Sequence, residues 1–295
     1  QRLYSNNGAS TKGIEDDTAD GFSQEKIDKI IQSLSDESYM PKPVRRTYIP
    51  KKRGSHKMRP LGIPTFTDKL VQEVLRMVLE SVYEPIFSKN SHGFRPQRSC
   101  HTALNSLKKE FTGVGWFVEG DIKGCFDNIN HHVLVDIIGR KIKDARLIKL
   151  VWKFLRAGYM EDWQYNGTYS GCPQGGIISP LLANIYLNEF DKELESRGLR
   201  FTRYADDCVI YVRSEAAANR VMKSVIRWLE EKLRVQVNVT KTKVCRPNDT
   251  KYLGFSFYKR NDKWRPKPHL KSVQKFREKL HGYSKRSWSV SMDYR

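Results

Sequence analysis

Acidic side chains are scarce in this chain: 33 Asp and Glu stand against 53 Lys and Arg, a formal net charge of +20 over 295 residues. That imbalance says little about fold but favours polyanionic partners, nucleic acid or an anionic membrane surface. Long apolar runs are also missing. No stretch approaches the ~20 residues of a bilayer span, and the opening residues do not read as a secretory signal. A membrane partner is therefore not expected, and nucleic acid is the better reading. Cysteine is sparse. Cys100, Cys125, Cys172, Cys208 and Cys245 are far apart, odd in number and without a Cys-x-x-Cys pair, which argues against a disulfide framework or a zinc site. Reduced thiols in a cytoplasmic setting are the simple reading. The histidines show no ligand spacing. There is no internal repeat and no low-complexity segment. The chain opens on Gln1 rather than Met and closes in a polar tail, so it is expected to be part of a longer protein.

What is present is a series of readable elements. Residues 1–21 are polar loop or arm. Gln24 to Leu34 has amphipathic spacing, with Ser23 as N-cap. Residues 42–59 hold eight basic side chains and no acid: Lys42, Arg45, Arg46, Lys51, Lys52, Arg53, Lys57 and Arg59. A strand over Val44–Pro50 and a turn at Arg53-Gly54-Ser55 make this a basic hairpin, suited to phosphate or, more blandly, to water. Asp68 to Val82 reads as a helix with Leu70, Val71, Val74, Leu75, Val78, Leu79 and Val82 on one apolar face. Trp116 to Ile122 reads as a buried strand ending in an acid. Helices are expected over His132–Ile142 and Ala145–Ala157. The latter carries Arg146, Lys149, Lys153 and Arg156, which line a backbone-binding surface or simply face water. Ser179-Pro180 is a helix start, and the helix runs to about Glu195. Glu215–Leu233 is another helix, Tyr252–Tyr258 a strand with a turn at Asn261-Asp262, and His269–Tyr283 a last helix. Residues 259–286 are again basic. Strands interleaved irregularly with helices argue for an α+β fold with a mostly antiparallel sheet.

The chemistry concentrates at Tyr204-Ala205-Asp206-Asp207, between two strand-like runs. Adjacent carboxylates at a hairpin tip are costly unless a cation is held there, and a divalent metal is the usual answer. Asp121, at the end of a strand, is the natural third acid, and Asp127 follows six residues later. Three acids suffice for two Mg²⁺ at ~3.5–4 Å, an arrangement that runs phosphoryl transfer. Ordinary turn acids remain the alternative, since Asp is common in turns. Gly171-Cys172-Pro173-Gln174-Gly175-Gly176 is a Gly-rich loop whose backbone can approach a ligand closely; a helix-entry loop without a ligand is the other reading.

Taken together and in order, the Asp121-Ile122-Lys123-Gly124-Cys125-Phe126-Asp127 strand end, the Pro173-Gln174-Gly175 loop and the Tyr204-Ala205-Asp206-Asp207 turn resemble the palm motifs of reverse transcriptases. Ile49-Pro50-Lys51-Lys52 with Arg59-Pro60-Leu61-Gly62-Ile63-Pro64-Thr65 is similar to the finger motif of bacterial group II intron-encoded reverse transcriptases and maturases. So are Ser91-His92-Gly93-Phe94-Arg95-Pro96-Gln97-Arg98-Ser99, Asn238 to Lys243 and Tyr252-Leu253-Gly254-Phe255. The resemblance covers about Arg45 to Phe257.

That resemblance implies an RNA-directed DNA polymerase with right-hand fingers and palm, an antiparallel palm sheet packed on helices, and the thumb largely absent. The implied segments are 1–114 for an N-terminal extension and fingers, 115–258 for the palm with a helical finger-side excursion near 140–170, and 259–295 for the start of a thumb or a truncated tail. Asp121, Asp206 and Asp207 would hold two Mg²⁺, or Mn²⁺ in their place, with the Ile122 carbonyl as a further ligand. Lys51, Arg59, Phe126, Gln174 and Lys241 would bind the deoxynucleoside triphosphate, Phe126 by blocking a ribose 2′-hydroxyl. Tyr252-Leu253-Gly254 would grip the primer end. Asp127 serves either catalysis or as a cap for the following helix. The implied partners are an intron RNA whose splicing the protein assists, an RNA template and a DNA primer. Arg45, Arg46, Lys52, Arg53, Lys57, Lys149, Lys153, Arg156, Lys271 and Lys275 would contact RNA through phosphates and 2′-hydroxyls. Monomer and homodimer both stay open. The setting is bacterial cytoplasm, or an organelle in a eukaryote. Two alternatives stand beside this reading: an RNA-binding splicing cofactor that polymerises weakly in this shortened form, and a retron or diversity-generating reverse transcriptase.

Overall fold

Ser23 opens the first regular element: its hydroxyl accepts from the Lys26 amide and starts α1 (Gln24–Ser35). The computed structural model describes residues 3, 8, 10–19, 23–50, 56–120, 122–238, 242–261 and 263–284. After α1 come β1 (Val44–Pro50) and β2 (Met58–Ile63), paired antiparallel; the turn expected at Arg53–Ser55 lies outside the described residues. α2 (Phe66–Tyr83), α3 (Cys100–Lys109), β3 (Trp116–Gly120), the single turn α4 (Cys125–Asn128), α5 (His131–Lys141) and α6 (Ala145–Arg156) follow. A short hairpin, β4 (Tyr159–Glu161) and β5 (Gln164–Asn166), joins the first sheet, where β4 runs parallel to β1. Then come α7 (Ser179–Ser196), β6 (Arg200–Tyr204), β7 (Asp207–Val212), α8 (Glu215–Lys232), β8 (Lys243–Cys245), β9 (Phe255–Arg260), β10 (Lys263–Pro268) and α9 (Leu270–Tyr283).

Three sheets result, in the orders β2-β1-β4-β5, β6-β7-β3-β8 and β10-β9. The second is antiparallel throughout and buried on both faces. Side chains alternate across a strand with a period of two. Along β7, Cys208, Ile210 and Val212 therefore enter the main core with α7 and α8, while Val209 and Tyr211 enter a second core with Phe111, Phe117 and Phe257. Sandwiched strands have no polar face, which is why Cys208–Val212 reads as one apolar run. α7 is buried over most of its length, Asn184, Asn188 and Asp191 included, and its apolar residues pack in the middle of the domain.

Two elements differ from the sequence pattern. On α2 the buried side is Phe66, Val71, Leu75, Leu79 and Tyr83, together with Asp68 and Gln72, while Val74, Val78 and Val82 face outward. Polar satisfaction decides the rotation. The Asp68 carboxylate accepts from Tyr39 Oη at 2.6 Å, Thr65 Oγ1 at 2.8 Å and the Lys42 amide at 3.1 Å, and Gln72 Oε1 accepts from the Ile177 amide at 2.9 Å. Buried polar groups require such partners, and the apolar arc is broad enough to allow it. The basic side of α6 is turned to α1 and the segment after it. Lys149 pairs with Glu37 at 2.6 Å, Lys153 donates to the Glu37 and Tyr39 carbonyls at 2.7 and 2.8 Å, and Arg146 donates to the Leu34 and Ser35 carbonyls at the end of α1. These cations fasten the amino-terminal helix to the body.

Phe117 of β3 is fully buried, its ring 5.6 Å from Phe111, 5.5 Å from Tyr211 and 5.8 Å from Phe257. Truncating it leaves a cavity between sheet and hairpin. Phe117→Ala should lower the unfolding free energy measured in urea by about 3–5 kcal/mol. A loss below about 1 kcal/mol would show that the second core does not close on this strand.

Candidate active site

The turn between β6 and β7 consists of Ala205 and Asp206 alone, with Tyr204 paired to Asp207. Ala205 has a φ of 56°, the left-handed conformation that tight hairpin turns need and that non-glycine residues seldom adopt. What holds it there is Arg203. Its guanidinium donates from Nη1 to the Ala205 carbonyl at 2.7 Å and to Asn184 Oδ1 at 3.1 Å, from Nη2 to Ser91 Oγ at 2.9 Å and Asp191 Oδ2 at 2.5 Å, and from Nε to Asp191 Oδ1 at 2.7 Å. All five guanidinium N–H groups are thereby used. The Arg203 and Asp191 side chains are 1% and 0% exposed. Burial raises the Asp191 carboxyl above the usual range, and the Arg203 charge opposes that rise.

The segment Ser91-His92-Gly93 runs beside β6. The Arg203 amide donates to the Asn90 carbonyl and the His92 amide to the Arg203 carbonyl, both at 2.9 Å. Gly93 presses on the turn itself: a Cβ there would lie 2.3 Å from the Ala205 nitrogen. Asp206 is half-buried in the loop, and Asp207 is exposed at the first position of β7. β3 runs antiparallel to β7 and ends at Gly120, opposite Cys208. Asp121 follows Gly120 and lies outside the described residues. Ile122 is buried and bridged to Val237. Among the described residues no three His, Cys, Asp or Glu gather as a metal group; the expected trio includes Asp121.

Phe126, on α4, is half-buried with its ring edge-on to Phe94 at 6.2 Å. Its carbonyl accepts from the Cys172 amide at 2.6 Å, which lays the Gly-rich loop along α4. Gln174 Nε2 lies 3.1 Å from both carboxylate oxygens of Asp127. Asp127 is not the cap of the next helix: Asn130 caps α5 by accepting from the Val133 amide. The loop also locks to the first sheet, since the Gly62 amide donates to the Gln174 carbonyl at 2.6 Å. Gly175, with a φ of 110°, permits that approach, because a Cβ would sit 2.6 Å from the Gly62 carbonyl oxygen. Ser179 does not cap α7 through its side chain; its hydroxyl donates to the Pro173 carbonyl at 2.8 Å and braces the loop.

Arg59 is exposed on β2, three residues before Gly62, and Lys57 is exposed just ahead of it. Arg45 is turned to the Lys12 carbonyl at 2.8 and 3.1 Å, and Arg46 lies 3.8 Å over the Tyr159 ring. Arg156 stacks 5.5 Å from Trp152. Lys271 and Lys275 are exposed on α9. Lys51, Lys52, Arg53 and Lys241 lie outside the described residues. At the tight Tyr252–Phe255 turn, Leu253 and Gly254 have φ of 49° and 86°, and the Gly254 carbonyl accepts from the His269 amide and Ser272 Oγ, tying the turn to the start of α9. The thiols near the site are not nucleophiles: burial pushes Cys172 and Cys208 well up, so both stay protonated.

Sequence reasoning missed Arg203, Asp191, Ser91 and Asn184 as the frame of the turn. Asp191 is one of several acids on α7, its partner is twelve residues away on a strand, and nothing in the spacing joins them.

The reverse transcriptase (RNA-dependent DNA polymerase) family model matches residues 49–257. Over 203 residues the chain is 68% identical to the group II intron-encoded protein LtrA of Lactococcus lactis subsp. cremoris, a match that covers 69% of this chain and 34% of that protein. It is 36% identical to the protein YkfC of Escherichia coli, covering 86% of this chain and 76% of that one. The chain thus spans about a third of the length of its LtrA relative. Among solved structures it resembles an apo telomerase from Candida tropicalis, with a TM-score of 0.59, 15% identity, and coverage of 84% of this chain and 61% of that one. At that identity the likeness speaks for the fold.

Two outcomes test the frame of the turn. Arg203→Met strands the Asp191 carboxylate and should lower stability by about 3–5 kcal/mol in denaturant melts, whereas Arg203→Met with Asp191→Leu should recover most of it. Equal losses in the single and double variants would refute the pairing. His92 is buried beside Arg98, Arg95 and Arg203, and burial first and those charges second hold its pKa down at about 4. An unfolded chain takes up that proton near pH 6.5 and the folded one does not, so stability falls as pH drops from about 6.5 to 4. The full effect is on the order of 3 kcal/mol. His92→Gln should flatten that part of the pH–stability curve, and an unchanged slope would exclude His92 as its source.

Proposed function

The chain belongs to the reverse transcriptase family, and we propose that it is the fingers-and-palm part of a group II intron-encoded protein that copies RNA into DNA and binds intron RNA to assist its splicing. The observation that supports this best is the Arg203-braced turn, which presents Asp206 and Asp207 at the start of β7, beside the strand end that leads into Asp121. Residues 1–114 act as extension and fingers, 115–258 as palm, and 259–295 begin the thumb.

In this reading the primer 3′-hydroxyl attacks the α-phosphorus of a deoxynucleoside triphosphate. The new P–O bond forms as the bond to pyrophosphate breaks, and the hydroxyl proton leaves to solvent or a nearby base. Asp121, Asp206, Asp207 and the Ile122 carbonyl would hold Mg²⁺ or Mn²⁺, which would supply Lewis-acid polarisation of the hydroxyl and phosphate oxygens. The donor set fits a hard cation, because carboxylate and carbonyl oxygens are what Mg²⁺ prefers. Arg59, Lys51 and Lys241 neutralise the triphosphate, Arg as a fork and Lys as a point charge. Phe126, propped by Phe94, closes the ribose pocket on its 2′ side. The Gln174 amide donates to the Asp127 carboxylate, which fixes its orientation. Exposed cations on β9, β10 and α9 grip RNA phosphates, which makes that binding steeply salt-dependent. A bacterial cytoplasm or an organelle suits such a protein.

Primer extension on an RNA template tests the reading. Asp206→Ala with Asp207→Ala should reduce extension roughly 100-fold or more, the equivalent of several kcal/mol at 1.36 kcal/mol per tenfold. Thermal melting should stay close to that of the parent. Extension that persists in the double variant would place the centre elsewhere.

A further inference from the structure

A cleft of about 350 Å³ lies between the first sheet and the Gly-rich loop. One wall carries Arg46 and Tyr159, and the other carries Asp127, Thr168, Tyr169 and Ser170. Arg59, Phe126, Asp206 and Asp207 are not on it but Gln174 is, so it adjoins the nucleotide site proposed above and shares that one side chain with it. Its volume falls at the lower end of small-molecule sites, roughly 300–1,000 Å³, which suits a single nucleotide and not a helix.

Three features of the lining go beyond what the fold needs. The Arg46 guanidinium lies 3.8 Å over the Tyr159 ring, its Nε has no hydrogen-bond partner, and it makes no ion pair among the described residues. A stacked, unpaired guanidinium is a ready phosphate donor. Tyr169 is 85% exposed at the rim. An aromatic face left bare in a protein this basic matches the way single-stranded nucleic acid is gripped, by stacking beside positive charge. Asp127 is exposed and its carboxylate meets only one donor group, the Gln174 amide, in the hydrogen bonds described. A carboxylate has about four acceptor positions, so lone pairs remain for N–H donors on a base edge. Guanine presents two such donors side by side on its pairing edge, and uracil has no exocyclic amine.

We infer that this cleft binds one unpaired nucleotide, with guanine favoured: Tyr169 stacks on the base, Asp127 reads its amino-bearing edge and Arg46 holds a phosphate. Recognition of splayed, unstacked bases on their edges is how single-stranded RNA is read in sequence-specific fashion. The Asp127–Gln174 contact then connects occupancy of the cleft to the loop that faces the polymerase site.

Anisotropy titrations at fixed salt test this, with a short uridine-run RNA carrying one guanosine and its all-uridine counterpart. The guanosine RNA should bind more tightly. Tyr169→Ala should weaken it roughly 5- to 100-fold, Arg46→Gln should weaken both RNAs, and Asp127→Asn should erase the guanosine preference. Trp163, in the turn between β4 and β5, is 96% exposed but outside the cleft, and Trp163→Ala should change little. Competition by guanosine monophosphate would assign a free nucleotide as the source, and failure to compete would assign an RNA strand; either upholds the site. Tyr169→Ala binding within twofold of the parent, or an equal loss in Trp163→Ala, overturns it. So does equal binding of the two RNAs by the parent chain. None of these results bears on the extension assay with Asp206 and Asp207 replaced, so the two readings fail separately.

Discussion

The Arg203–Asp191 pair is the interaction on which the rest of the molecule depends. Removing both charges from water costs several kcal/mol per ion, and the attraction between them offsets that only when geometry and accessory hydrogen bonds are complete. Here they are complete: every guanidinium N–H has an acceptor, and those acceptors come from α7, from Ser91 and from the turn after β6. One side chain therefore ties its own turn to α7 and to the Ser91 segment, which lies more than a hundred residues earlier. The left-handed Ala205 is tolerated because the same guanidinium holds its carbonyl, while Gly93 leaves no room for the turn to move toward it. Two neighbouring carboxylates repel each other and would loosen a free hairpin tip. Rigid support from behind is what lets them stay together.

A second chain of contacts joins the sheets. The Gly62 amide meets the Gln174 carbonyl, the Gln174 side chain meets Asp127, and Asp127 sits on the turn that follows β3. Gln72 of α2 and the Ser179 hydroxyl brace the same loop from the other side. The loop is thus held by backbone and side-chain bonds to four elements, and its glycines serve close approach more than mobility. A shift of β2 at Gly62 would be felt at Gln174 through a single hydrogen bond.

Much of this was legible in the sequence, and what was not has definite causes. Strand and helix periods located β1, α1, α5, α6, α8 and α9 within a residue or two, because each has one apolar side and a clear start. The Tyr204–Asp207 turn was legible because two adjacent acids interrupting apolar runs can only sit where the chain leaves the core and reverses. The rotation of α2 was not, since its apolar residues cover a wide arc and the choice fell to Asp68 and Gln72, whose partners Tyr39 and Ile177 are far away in the chain. Short elements such as β4 and β5 gave no pattern to read. Asp127 was open between two roles, and only the approach of Gln174 and the cap at Asn130 settled where its carboxylate goes.

The positive charge divides in the same way between what a count shows and what the fold does with it. A net charge of +20 invites the view of a surface given over to phosphate, yet a good part of it works inside the protein. Arg45, Lys69, Arg146 and Lys153 donate to backbone carbonyls of residues 8–12 and 34–39, and Lys149 pairs with Glu37. A long cationic side chain can reach a carbonyl that helix ends and loops leave without a partner, so these residues do for the amino-terminal segments what a larger apolar interface does elsewhere. Counting cations overstates the charge open to a polyanion. What remains is spread over several elements: Arg220, Lys223, Arg227 and Lys232 are exposed on α8, Arg265 and Lys267 on β10, and Lys271 and Lys275 on α9. Two adjacent carboxylates in so basic a chain would draw a divalent cation to the turn, while the surface as a whole draws a polyanion.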